Sequence, residues 1–420
     1  MKATLPQQWP VNRIRFLTLR SPSREQRAML AKVSHVSFLP MEAIGEQGQL
    51  DLSASRPIDE VRSGYSQFFD GDVVIAKITP CFENGKGALI RGMLDGVGFG
   101  TTELHVLTPL AEIDGRFLYY VTVNPCFRQL GQAWMTGAAG QQRVPEDFVR
   151  DFRVQVPPLA QQRAIADYLD RETLHLDALI AAKERLLGLI AEKRRALITR
   201  VVTLGLDPHA SLRESGIPWL GKAPAHWDVR RIAWLFRERD QRGEPDLPLL
   251  EVSINSGVTL REFSEERIEY TAADFNTYKV ARCGDIVFNK MRMWQGAVGV
   301  APEDGLVSPD YVVAAPIGSM SPEYAGLLFR TPAFSAECAR HSHGIVWDRL
   351  RLYWEGFRDI AVPLPPKEEQ VDIVDRVLWE ATRLDHLRAA TEQTTALLKE
   401  RRAAFIAAAV TGQIDVGRAV

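Results

Sequence analysis

The chain contains one long motif twice, and the two copies align without a gap. Residues 157–170, PPLAQQRAIADYLD, through 192–207, EKRRALITRVVTLGLD, return 208 positions later as 365–378, PPKEEQVDIVDRVL, through 400–415, ERRAAFIAAAVTGQID. Ahead of each copy lies a stretch of similar length with a globular composition, and those two stretches share only sparse residues. Such a chain is constrained to fold as two similar frames with two different contents. That arrangement suits a protein that reads two different things at a fixed distance.

The sparse matches outline the shared frame. Trp9, Val11, Arg13 and Ile14 correspond to Trp227, Val229, Arg231 and Ile232. Gly71-Asp72-Val73-Val74 with Lys77 corresponds to Gly284-Asp285-Ile286-Val287 with Lys290. A Gly-Asp turn ahead of a β-branched run predicts a turn leading into a buried strand. Phe117–Val121 followed by Asn124-Pro125-Cys126-Phe127 matches Tyr324–Leu328 followed by Thr331-Pro332-Ala333-Phe334, which predicts a helix, a break at proline and a second helix start. Gly137 with Arg143-Val144 is matched to Gly344 with Arg349-Leu350, the loosest of the correspondences because the spacing differs by one residue.

The repeated tails predict long helices, from about 159 to 204 and from about 367 to 412. Neither has a proline after its opening turn, and Ala, Leu, Glu, Lys and Arg dominate. Each would run roughly 65 Å at ~1.5 Å per residue. Leu176, Leu179, Lys183, Leu186, Ile190 and Leu197 step mostly by three and four, with Leu384, Leu387, Thr391, Thr394, Leu398 and Phe405 at equivalent positions. That seam predicts an antiparallel coiled coil between the two helices; the alternative is that each packs on its own domain. Pro-Pro, Gln162 or Gln370, and Ile165 or Ile373 keep identical spacing and are expected to fix how each helix leaves its domain. Lys183, Arg185, Lys193, Arg194, Arg195, Lys399, Arg401 and Arg402 are read either as contacts for acidic patches on other subunits or as plain solvated faces.

Composition bounds the function. With 420 residues, 46% of them hydrophobic, there is material for two or more independent cores. No apolar run is long enough to span a membrane and the start lacks a signal-peptide core, so a cytoplasmic location is expected. Cys81, Cys126, Cys283 and Cys338 show neither CxxC pairing nor disulfide-scaffold density, so they read as reduced thiols without zinc. The formal net charge of −2 lacks the simple signature of a nucleic-acid binder. Local basic grooves, or a partner that supplies phosphate contacts, remain compatible with it.

The segments GDVVIAKITPCFENGKGAL (71–89), GFGTTELHVL (98–107), VPPLAQQRAI (156–165), GLDPHASLRESGIPWLGKAPAHWDVRRI (205–232), GDIVFNKMRMWQGAVGV (284–300), VSPDYVV (307–313) and VPLPPKEEQVDIV (362–374) come in an order that resembles the DNA specificity subunit (HsdS) of type I restriction-modification systems. The resemblance covers nearly the whole chain. It implies an α+β fold with an internal pseudo-twofold repeat, in which two target recognition domains are separated by two long antiparallel coiled-coil helices. The domains would be 1–155, a first spacer helix 156–206, a linker and second recognition domain 207–361, and a second spacer helix 362–420. It implies a non-catalytic subunit that reads a bipartite site on double-stranded DNA and docks two modification (methyltransferase) subunits and restriction (translocase-nuclease) subunits. No cofactor is then expected on this chain; S-adenosylmethionine, ATP and Mg would reside on those partners.

The residue types agree with this. Lys77, Thr79, Asn84, Lys86 and Arg91 interleave with Gly85 and Gly87, which permit a tight turn. Lysine and arginine hold phosphates or read guanine, and asparagine pairs with adenine. Asn289, Lys290, Arg292, Trp294 and Gln295 supply the equivalent set. Gln141, Gln142 and Arg143 form a third loop, matched by His343 and Arg349. Any one of these residues reads equally as a solvated turn position; as units, the segments are expected to face DNA. His341 and His343 have no third ligand nearby in sequence, which favours a DNA-contacting or polar loop over a metal site.

Two catalytic lookalikes are weak. Asn124-Pro125-Cys126-Phe127 departs from the Asn-Pro-Pro-aromatic pattern of adenine methyltransferases, and Gly96–Gly100 lacks the strand and helix of a dinucleotide unit. There is no Walker-type GxxxxGK[ST]. Two other readings stay open: a stand-alone DNA-binding or architectural protein, and the specificity subunit of a related system whose modification and nuclease activities share one chain.

Overall fold

The structure is a computed structural model; it describes residues 9–138, 140–261, 275–344, 350–414 and 416. The chain divides into two compact units. The first comprises 1–185 with 392–420, and the second 186–391.

In the first unit an antiparallel sheet runs in the order Thr18–Leu19, Leu104–Pro109, Val73–Ala76, Gly87–Leu89. Its central strand, Val73–Ala76, is buried throughout, as the β-branched run predicts. Gly71 has φ 95°, a left-handed conformation that glycine adopts without strain, and the Asp72 carboxylate accepts the Phe69 amide at 2.8 Å to close the turn. Helices Gly115–Val123 and Pro125–Ala133 cover this sheet, with the break at Asn124. Strand Val11–Arg13 pairs with Arg153–Gln155, so the beginning of the domain lies beside its end.

The second unit repeats this layout: Phe236–Glu238, Tyr311–Pro316, Ile286–Asn289, Val298–Val300 in one antiparallel sheet, and Asp228–Arg231 paired with Ala361–Leu364. Gly284 has φ 86°, and Asp285 accepts the Arg282 amide at 2.8 Å. Helices Pro322–Phe329 and Pro332–Arg340 break at Thr331. The Ile14 amide donates to Phe152 and the Ile232 amide to Ile360, the same bond in both units.

The first unit also carries a second, mixed sheet: Ser55–Pro57, His35–Leu39, Val97–Gly100, Ser66–Phe69, in which His35–Leu39 and Val97–Gly100 run parallel. Here Gly96–Gly100 finds its role. Strand Val97–Gly100 is fully buried, and a Cβ on Gly100 would lie 2.2 Å from the Leu39 carbonyl oxygen, so this glycine serves strand packing. Asn124 likewise caps a helix, its side chain accepting the Cys126 amide at 3.0 Å.

The long helices are Leu159–Leu204 and Lys367–Val410, and they pack on each other antiparallel. In the first unit Asp177 receives Arg402 at 2.7 and 3.2 Å, and Glu184 pairs with Lys399 at 2.9 Å. In the second, Arg194 reaches Asp385 at 3.3 Å. One helix number rises as the other falls. Each helix end also packs on a domain core, Ile165 and Leu169 with Ile406 and Val410 in the first unit, Val201 and Val202 with Ile373 and Val377 in the second. The two sequence alternatives, coiled coil or docking on the domain, are thus both realised.

The seam itself needs correction. Leu179 and Leu387 are 40% and 47% exposed, and Thr394 is exposed, whereas Leu176, Ile180, Ile190, Leu384, Thr391 and Thr395 are buried. Leu176, Ile190, Leu384 and Thr391 of the predicted seam thus lie on the buried face, and Leu179 and Thr394 each stand one residue ahead of a buried position, Ile180 and Thr395.

Candidate nucleic-acid interface

In the first domain, strand Val73–Ala76 and its neighbour Gly87–Leu89 form a hairpin whose connection, 77–86, is the candidate loop. Helix Pro125–Ala133 holds it from beneath. The Arg128 guanidinium, buried, donates to the carbonyls of Thr122 at 2.7 Å, Phe82 at 2.9 Å and Gly85 at 3.3 Å and lies over the Phe82 ring. Burial brings its pKa down to about 10, which leaves it charged at neutral pH. Sequence reasoning missed Arg128; a lone arginine on an otherwise amphipathic helix gives no signal of an interior role.

The loop 141–143 joins this hairpin connection directly. Thr79 donates its amide to the Gln142 carbonyl at 2.9 Å, and its hydroxyl accepts the Gln142 amide at 2.8 Å. The Val144 amide donates to the Lys77 carbonyl at 2.8 Å. Lys77, Thr79, Gln141, Gln142 and Arg143 therefore form one group. Asn84 is exposed at the loop tip. Lys86 is tied down, its ammonium donating to the Met41 carbonyl at 3.0 Å. Arg91 stands apart at the opposite end of the hairpin, where the Gly71 amide meets the Ile90 carbonyl.

Arg143 is engaged in the free protein. Its guanidinium forms two bonds of 2.9 Å to both carboxylate oxygens of Glu103, a pairing that holds the Glu103 carboxyl below the usual range. Close by, His105 is half-buried with Nε2 2.9 Å from the Val144 carbonyl oxygen. Burial lowers its pKa, so the ring is neutral at pH 7 and Nε2–H is the donor. Lys77, Arg143 and Arg150 line one open cavity of about 400 Å³ together with His105 and Glu146.

In the second domain the Asn289 side chain accepts the Met291 amide at 2.9 Å, and the Trp294 indole donates to the Met291 carbonyl at 2.9 Å. Arg292 and Gln295 are exposed. The Lys290 ammonium lies 5.8 Å from the Tyr353 ring centre and 3.5 Å from the Pro309 carbonyl oxygen. His343 exchanges two backbone bonds of 2.9 Å with Arg351, and its side chain is exposed. Arg349 lies outside the described residues.

These bonds correct the loosest match of the repeat. Thr136 and Arg143 exchange backbone bonds just as His343 and Arg351 do, and Val144 donates to Lys77 just as Leu352 donates to Lys290 at 2.9 Å. The counterpart of Arg143-Val144 is Arg351-Leu352, two residues beyond the sequence match. Val144 and Leu352 are both buried, which anchors the register. A second Arg-Leu pair at 349–350 drew the sequence match to the wrong place. Among the described residues no cluster of three or more His, Cys, Asp or Glu has metal-site geometry; His341 pairs with Glu337 at 3.3 Å. No described helix is long and apolar enough to cross a membrane.

No family model matches the chain. Among characterised proteins, the type I restriction enzyme EcoEI specificity subunit of Escherichia coli is 37% identical over 175 residues, and the EcoAI specificity subunit of the same species 39% over 173. Each alignment takes in 38% of this chain and spans only 29% of the relative's length. The EcoKI specificity subunit of E. coli K12 is 23% identical over 292 residues, 65% of this chain and 60% of that protein. A chain solved in work on complex assembly and conformational transition of the type I R-M system matches 98% of this chain and all of its own length with a TM-score of 0.71 at 18% identity. The HsdS subunit from Thermoanaerobacter tengcongensis matches 98% of this chain and 99% of itself with a TM-score of 0.52 at 17% identity. The α+β layout of two repeated domains with paired long helices is the fold of these solved chains, and over 38% of its length this chain is similar in sequence to named type I restriction specificity subunits.

Proposed function

We propose that the chain is the non-catalytic recognition subunit of a type I restriction-modification complex, acting in the cytoplasm. It reads a bipartite, asymmetric site on double-stranded DNA, one half through each domain. One observation carries this reading: the two domains share sheet order, turns and helix attachments, yet differ in the loops 77–91 and 289–299 that their frames display. Loops on a common frame are where specificity resides.

The residues proposed to face DNA are Lys77, Thr79, Asn84, Gln141, Gln142 and Arg143 in the first domain and Asn289, Arg292, Trp294, Gln295 and His343 in the second. Arg349 stays in the proposal on sequence alone. Lys290 is a further member, and Lys86 and Arg91 are weaker ones, the first because its ammonium already donates to the Met41 carbonyl, the second because it stands at the far end of its hairpin. The paired helices scaffold two modification subunits, with restriction subunits joining them. S-adenosylmethionine, ATP and Mg belong to those partners.

Mapping of methylated bases across the genome of cells that carry the chain with its partner tests the reading. The expected motif is split and nonpalindromic, with methylated adenines on opposite strands in its two halves. Exchange of residues 1–155 for those of a relative should alter one half only. A continuous palindrome, or DNA methylation by the purified chain alone, defeats the proposal.

A further inference from the structure

The register correction exposes a recurrence that the sequence match concealed. Lys77, Arg143 and Arg150 in the first domain fall at the same structural positions as Lys290, Arg351 and Arg358 in the second. The first two pairs are fixed by the Val144–Lys77 and Leu352–Lys290 backbone bonds. The third follows from the helices Glu146–Asp151 and Trp354–Arg358, which end at the equivalent Ile14–Phe152 and Ile232–Ile360 bonds. The surroundings have changed around these three cations. Residues in the same register are His105 and Val312, and Glu146 and Trp354.

Contacts to DNA phosphates fix position and carry no sequence information, whereas contacts to base edges specify. Two readers on one frame that have diverged to different targets should therefore keep the first kind and change the second. On this argument, which rests on the DNA-reading proposal above, we infer that Lys77, Arg143 and Arg150, and in the second domain Lys290, Arg351 and Arg358, bind phosphates of the DNA backbone. The loop residues that differ read the bases.

The first domain's geometry fits a phosphate. Its three cations line one open cavity of about 400 Å³. Two of them now hold carboxylates: Arg143 grips Glu103 through two parallel bonds, and Arg150 stands 3.8 Å from Glu146. A guanidinium meets carboxylate and phosphate oxygens with the same two-pronged geometry, so Glu103 occupies the place that a phosphate would take and must be displaced by it. Lys77 and Arg351 form no ion pair among the described residues.

The test is binding of the full chain, with its methyltransferase partner when it copurifies with one, to two unrelated 30-base-pair duplexes, one AT-rich and one GC-rich, titrated across a range of salt. Lys77→Gln and Arg351→Gln should weaken both duplexes alike, roughly tenfold, and each should make the plot of log affinity against log salt less steep by about one. Glu103→Gln should strengthen both. Arg351 is exposed, so its replacement reports on binding without disturbing the core. An unchanged salt slope in these variants, or a loss confined to one duplex, overturns the inference while the recognition proposal stands. Failure of the unaltered protein to bind either duplex defeats the recognition proposal itself.

Discussion

Arg239 closes on Asp285 with its Nε 2.7 Å from Oδ2, whereas the register of the repeat puts Ser21 where a matching arginine for Asp72 would be. Both aspartates are buried and both cap the turn into the central strand. Asp72 thus carries its charge in the interior without a cation. Thr108 stands beside it and the Phe69 amide donates to one oxygen, yet the other oxygen has no hydrogen-bond partner of normal geometry. Desolvation outweighs these contacts and raises the Asp72 pKa to about 6.

The consequence is a pH dependence of stability in the first domain. The folded pKa exceeds the unfolded value of 3.8, so the folded state holds the proton more tightly. Its stabilising contribution is complete below about pH 4 and is lost as pH rises through about 6. Asp72→Asn should remove that loss and raise stability at pH 7 by about 2 kcal/mol. Urea melts of the two proteins at pH 5 and pH 7.5 check this; an equal pH response in both would refute it. Asp285→Asn should do the opposite and destabilise at pH 7 by about 3 kcal/mol, since it leaves Arg239 half-buried beside an uncharged group.

Arg128→Met should cost about 3 kcal/mol. It deletes a buried charge, and the Phe82 and Thr122 carbonyls lose their donors. Hydrogen exchange should quicken in residues 82–86 more than in the rest of the domain. Uniform quickening would mean that Arg128 supports the core in general and not this loop.

The pairing of the long helices is tested by charge exchange. Arg402→Asp alone should destabilise the first unit by about 2 kcal/mol, because Asp177 and Arg402 are both mostly buried and bonded twice. Adding Asp177→Arg should restore more than half of that loss. Two losses that simply add would show that the pair does not interact in solution.

Gln162→Ala should cost about 3 kcal/mol. The Asp114 amide would lose its acceptor, and the Glu112 and Pro157 carbonyls their donor, in a site where the glutamine is fully buried. Gln370→Ala should match it in the second unit, where the Ser321 amide and the Ser319 and Pro365 carbonyls take the same three roles. Thermal melting of both variants provides the comparison.

Much of this was legible in the sequence because duplication supplies an internal control. Trp9 and Trp227, Ile14 and Ile232, and the Gly-Asp turns are matched twice and occupy matching places. The buried glutamines could be singled out by spacing alone. What escaped was set by geometry that spacing does not carry. The stripe through Leu179 and Leu387 looked continuous, yet these two face solvent while Leu176, Ile190, Leu384 and Thr391 of the same stripe are buried. Arg349 and Arg351 each miss the expected spacing from the glycine by one residue, and only the backbone bonds of Val144 and Leu352 distinguish them. The mixed sheet around His35–Leu39 has a partial counterpart in the second unit, Lys279–Ala281 antiparallel to Gly305–Val307 with a parallel bridge between Leu249 and Leu306, but the matched residues of the two halves do not extend over it, so comparison of the sequences did not reveal it. Candidate residues such as Lys86 and Arg143 were recognisable by type, but their present ligands, Met41 and Glu103, lie 45 and 40 positions away.

The glutamine at the head of each long helix bonds only to main-chain atoms of its domain. Residues 112 and 114 are Glu and Asp in one half, 319 and 321 are both Ser in the other, and the three bonds are the same. At these three bonds the domain's side chains can therefore change without loosening the glutamine, whereas Tyr120 on Asp170, Trp227 on Glu369 and the shared apolar cores hold the same helices through side chains. A foreign domain joined just ahead of the Pro-Pro pair would meet the glutamine through its backbone trace, and would have to supply afresh only the apolar and polar side chains that pack on the helix.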